Sequence, residues 1–100
     1  MPVRVDCPLE GFRDTWVEFR DKGWTFGDRR HVIEAVTDSA AVNIILGYVE
    51  RWNLKDTSGL EVPIKKDIEV LDQVDDVLVV WLIRAWFQAR DQRGTVPKNS

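Results

Sequence analysis

Between Val77 and Phe87 the chain carries a single polar residue, Arg84. Val74, Val77, Leu78, Trp81, Leu82, Ala85, Trp86 and Ala89 recur at spacings of three and four, one helical stripe. Val79, Val80, Ile83 and Phe87 lie off that stripe and are apolar as well. A helix that is apolar on every side must be covered on every side. In a chain of 100 residues there is little material to do so. Either this helix is central and wrapped by the rest of the fold, or one of its faces meets another chain. Trp81 and Trp86 sharpen the choice. Five residues turn a helix by about 500°, which leaves the two rings about 140° apart. One can fill the core while the other faces elsewhere. Aromatic side chains and Arg are enriched at protein interfaces, so Val80, Ile83, Trp86, Phe87 and Arg90 are the expected partner-binding residues.

The run Val77–Ile83 is far short of the roughly 20 apolar residues of a membrane span. The Met-Pro-Val-Arg start does not read as a secretory signal. A single cysteine, Cys7, closes no internal disulfide, which points to a reducing cytoplasm. Cys7 and His31 alone are too few soft donors for a zinc site, and no cofactor is expected. Net charge is −3, and residues 1–50 carry nine acidic against six basic side chains. Neither half is basic, which argues against nucleic acid as the partner. Arg84, Arg90, Arg93 and Lys98 against Asp91 read as the basis of a solubilising end. The expected organisation is one small domain over residues 1–92 and a flexible polar tail over 93–100.

The predicted fold is α+β and mostly helical, an N-terminal β-hairpin packed on three to four helices. An extended lead-in with a short strand at Val3–Val5 comes first. Trp16–Arg20 and Trp24–Phe26 are rich in β-formers and flank Asp21-Lys22-Gly23, the chemistry of a turn. A helix follows from Gly27-Asp28, capped by Thr25 or Asp28, with Val32, Ile33 and Val36 as its apolar side. Thr37-Asp38-Ser39 offers a new cap for a second helix over Ser39–Arg51, with Val42, Ile45, Leu46 and Val49 inward. Asp56-Thr57-Ser58-Gly59 is a polar turn, and Leu60–Ile64 is extended, with Pro63 barring it from a central strand. Lys65–Leu71 is a short helix burying Ile68 and Leu71. Asp72 or Asp75 then caps the last helix, Gln73–Gln92.

Few residues suggest chemistry. Asp72, Asp75 and Asp76 are placed to cap a helix start rather than to hold an ion. His31 has no nucleophile or carboxylate at a telling spacing. The helix Ser39–Tyr48 offers only Ser39 and Asn43 for reading bases. Arg29, Arg30, Arg90 and Arg93 are the set a small nucleic-acid-binding regulator would use.

Trp52-Asn53-Leu54-Lys55-Asp56, then Gly59, then Glu61-Val62-Pro63 and a helix, resembles the small tail-assembly proteins of long-tailed bacteriophages. The likeness spans residues 16–90 and is anchored on Trp52, Asp56, Gly59 and Pro63. It implies a non-enzymatic tail-assembly chaperone that binds tape-measure or tail-tube proteins in the host cytoplasm. A resting homo-oligomer, with the last helix paired across a two-fold axis, is the expected free state. A head-tail joining or tail-completion protein that stays in the virion is the structural alternative.

Overall fold

The computed structural model describes residues 1–94. Three short strands, β1 (Val3–Asp6), β2 (Trp16–Phe19) and β3 (Val49–Trp52), form one antiparallel sheet in the order β1-β2-β3. Among the described residues there are also three helices, α1 (Phe26–Glu34), α2 (Asp38–Leu46) and α3 (Asp76–Gly94), which make the fold α+β, and one 3₁₀ turn at Ile68–Leu71. The expected flexible tail begins inside α3, which runs through Arg93 to Gly94, and otherwise lies outside the described residues.

Side-chain alternation decides how the sheet packs. Val5, Val17 and Trp52 stand in one cross-strand row and Val3, Phe19 and Val49 in the next. Val5, Val17, Phe19 and Trp52 enter a core shared with Val42, Ile45 and Leu46 of α2 and Leu78, Leu82 and Ala85 of α3. The opposite face is polar. Arg4, Glu18 and Arg51 lie side by side across the three strands. Arg51 Nε donates to Glu18 Oε1 at 2.9 Å, and the Arg4 guanidinium sits 4.7 Å from the Trp16 ring centroid. The carboxylate of Glu18 pushes the Arg51 pKa upward, chiefly by accepting its hydrogen bond.

The expected hairpin does not form. β2 pairs with β1 on one side and β3 on the other. Trp24-Thr25-Phe26 lies outside the sheet because Thr25 takes another duty. Its hydroxyl accepts from Asp28 N at 3.1 Å and caps α1. Gly23 does turn the chain, at φ +78°. Arg20 steadies that turn by donating to Gly23 O and Gly47 O, each at 3.2 Å. The turn delivers the chain into a helix rather than back along β2.

The second helix is shorter than its periodicity predicts. α2 is capped by the Thr37 hydroxyl, which accepts from Ala40 N at 3.1 Å, and ends at Leu46. After Gly47 and Tyr48 the chain extends into β3. Arg20 N donates to Tyr48 O at 2.9 Å, carrying the ladder past a bulge between Glu18 and Phe19. An open edge of β2 outcompetes little more than one further turn of helix, because pairing there satisfies backbone groups on both strands. On α1 only Val32 is buried, and the expected stripe partners Ile33 and Val36 face solvent.

The block Trp52–Pro63 is a built turn. Trp52 Nε1 donates to Val62 O at 2.8 Å. Asn53 bridges its own loop to β2, accepting from Trp16 N at 2.8 Å and donating to Asp14 O at 2.7 Å. Asp56 Oδ1 accepts from Ser58 N and Leu60 N, and Gly59 takes φ +83°. Each of these residues is occupied by folding the loop.

Candidate functional site

α3 is the element that must be covered, and its two halves are covered differently. It starts where Asp75 Oδ1 accepts from Val77 N at 3.1 Å, so Asp75 is the capping carboxylate. Trp81 and Trp86 are both buried by their own chain. The expectation that one ring faces elsewhere is met by neither.

Around Trp86 the cover is aromatic. Trp24 stacks on it with ring centroids 5.1 Å apart and 22° between planes. Tyr48 meets it edge-on at 5.5 Å, and Phe87 does so at 5.2 Å. Trp24 also touches Tyr48 at 4.7 Å and Phe19 at 6.4 Å. Its indole N–H donates to Arg20 O at 2.6 Å, which fixes the ring as a lid on Trp86. The Tyr48 hydroxyl donates to Asp28 Oδ2 at 2.5 Å, tying α1 to the box. Burial, followed by that bond to Asp28, pushes the Tyr48 pKa above its ordinary value near 10.

The first half of α3 borders a groove of about 360 Å³. Val77, Val80 and Trp81 form one wall, and Pro8 and Leu9 form the other. The β1–β2 loop holds Leu9 in place. Cys7 N donates to Thr15 O at 2.8 Å, Phe12 N to Leu9 O at 3.0 Å and Thr15 N to Phe12 O at 3.0 Å. Gly11 takes the left-handed conformation the loop needs, at φ +88°. Val77 is 46% exposed, although it belongs to the stripe that is otherwise core. Asp76 and Arg84 are the charged residues of the groove lining, and neither makes an ion pair among the described residues.

Of the five expected partner-binding residues, Val80 lines this groove. Ile83 and Phe87 are half-buried against the core. Trp86 is 1% exposed, so a partner reaches it only if Trp24 moves. Arg90 borders a different cleft, with Trp24, Arg29 and Arg93. Pro8, Leu9 and Gln88 are groove residues that the sequence does not mark, and Val77 is marked only as a member of the core stripe. The stripe does not mark Val77 as uncovered, because its exposure depends on a loop distant in sequence.

The other chemical candidates are scattered. His31 is exposed on α1, with Arg30 Nη2 3.4 Å from its Nε2. Cys7 is a free thiol sealed in the core. Asp72 and Asp75 border the start of α3, and no group of three or more metal-ligating side chains forms among the described residues. No helix among the described residues is long and apolar enough to cross a membrane. What the groove can do is bury apolar surface, and its two charged lining residues can set the direction in which a segment lies. Comparison with family models, curated proteins and solved structures finds no match to the chain.

Proposed function

We propose that this chain is a non-enzymatic tail-assembly chaperone, which holds an apolar helical segment of a tape-measure or tail-tube protein in the groove beside α3. The observation that carries the reading is Val77, left 46% exposed beside Val80 and Leu9 at the start of the longest apolar run of the chain, Val77–Ile83. A chaperone needs apolar surface that is offered rather than sealed, and a reversible contact needs a modest patch. Asp76 and Arg84 are eight residues apart, about 12 Å along the helix. A client segment with a basic residue at one end and an acidic one about two turns later fits in one direction only. The Trp52–Pro63 likeness to phage tail-assembly proteins supports the class of client. In the client-free state a second copy covers the same groove, and the setting is the cytoplasm of the host.

The test is co-expression with phage tape-measure and tail-tube proteins. The chain co-purifies with one of them, and Val80→Asp weakens binding at least about tenfold, as expected for a charge placed in an apolar contact. Co-purification unaffected by Val80→Asp and Val77→Asp would remove the groove from the account. Recovery of the chain in purified virions would move it to the tail-completion class.

A further inference from the structure

A second cleft lies on the far side of α3. Val77 and Trp86 are nine residues apart, about 900° of rotation, so they face opposite ways. This cleft, about 240 Å³, is bordered by Trp24, Thr25, Arg29, Trp86, Arg90 and Arg93. Three guanidinium groups therefore border one small space, and among the described residues no carboxylate lines it. The nearby acids are engaged. Asp28 accepts from the Tyr48 hydroxyl, and Asp91 accepts from Arg90 Nη1 at 3.1 Å. Arg93 lies over the Trp24 ring at 5.0 Å and donates to Asp21 O at 3.1 Å.

Two donors at this cleft have nothing to donate to. Trp86 is 1% exposed, and its Nε1 is buried without a hydrogen-bond partner. Arg29 Nε is buried and unpartnered as well. A buried N–H without an acceptor costs free energy, and natural folds leave few of them. Both orphans are donors only, so the missing species is an acceptor. The cleft also borders the first turn of α1, a nine-residue helix whose N-terminus favours negative charge.

We infer that the cleft binds a single phosphate group, free or on a small molecule, held by Arg29, Arg90 and Arg93 over the Trp86 indole. Guanidinium groups suit a tetrahedral dianion, which presents acceptors to all three, whereas a planar carboxylate satisfies fewer. The volume is below the roughly 300 Å³ at which ordinary ligand pockets begin, which fits a phosphate and not a nucleotide cofactor. This site is independent of the groove beside Val77 and does not rest on the chaperone reading.

The indole N–H signals of the five tryptophans in a ¹H–¹⁵N spectrum report on it directly. Sodium phosphate, added at constant ionic strength, shifts the Trp86 signal saturably with a midpoint on the order of 1 mM. Acetate needs about ten times more. Arg29→Gln and, separately, Arg93→Gln raise the phosphate midpoint about tenfold, while the dispersed signals of the other tryptophans report that each variant is folded. Lys66→Gln, at an exposed position outside the cleft, leaves it unchanged. A non-saturating drift, the same shift with chloride, or folded Arg29→Gln and Arg93→Gln that bind as before would overturn the site. Acetate equal to phosphate would overturn the choice of a phosphate group. A single-stranded oligonucleotide binding far more tightly than phosphate would replace it with a nucleic-acid surface.

Discussion

The two halves of α3 carry the same kind of sequence and meet different fates. Trp86, in the second half, is enclosed by Trp24, Tyr48 and Phe87. Val77, in the first turn, is nearly half exposed beside Leu9. Both lie on one helix that is apolar on nearly every side over Val77–Phe87. What separates them is cover contributed from elsewhere in the chain. Trp24 is released from the sheet by the cap at Thr25 and can stack on Trp86. The β1–β2 loop brings only Pro8 and Leu9 to the other half and leaves a groove. Apolar periodicity marks a surface that must be covered, while the long-range fold decides whether the chain covers it or a partner does.

If this contrast is right, substitutions in the two halves separate stability from binding. Trp86→Ala has the largest effect, a loss of about 3–5 kcal/mol in urea unfolding, because it empties the centre of the aromatic box. Trp24→Ala removes the lid and costs less, about 2–3 kcal/mol, because Trp24 is only half-buried. A Trp24→Ala loss below about 0.5 kcal/mol would mean that Trp86 is covered by other means.

Tyr48→Phe leaves Asp28 without its donor and costs about 1–2 kcal/mol at neutral pH. It also has a pH signature. The Tyr48 pKa is raised in the folded chain, so the associated stability is fully present below pH 10, the unfolded value. It is lost as pH climbs from there through the raised value. Urea midpoints measured up to high pH should therefore fall more steeply above pH 10 for the native chain than for Tyr48→Phe. Parallel curves would place the hydroxyl outside the box.

Val77→Ser is the smallest in stability, within about 0.5 kcal/mol, since the side chain is already half in water. Under the proposed function its effect falls on client binding, where about a tenfold loss is expected. A loss of several kcal/mol of stability instead would show that the groove is closed in solution.

The sequence made the helix starts legible, because capping is local. Thr25, Thr37 and Asp75 each accept from a backbone N–H two or three residues ahead. Its apolar stripe also located α3 and most of its buried residues. The sheet was harder to read. Val49–Trp52 continues the helical spacing of α2, and only the free edge of β2, some thirty residues earlier, turns it into a strand. Gly23 looked like a hairpin turn because the same left-handed glycine serves either outcome. The candidate sites were the least legible. Val77 and Leu9 meet across the fold, and the cleft of Arg29, Arg90 and Arg93 joins residues from both ends of the chain. The arginines stood out as a set, and only the i,i+4 spacing of Arg30 and Glu34 separates Arg30, which pairs along α1, from the other three.

The most direct measurement is residue-by-residue mapping of client contact on the ¹⁵N-labelled chain by NMR. On addition of the tape-measure or tail-tube segment, signals at Leu9, Val77, Val80 and Arg84 should shift or broaden while the Trp86 indole stays in place. Changes centred on Trp86 and Phe87, with Val77 and Leu9 unmoved, would contradict the open half and closed half described for α3.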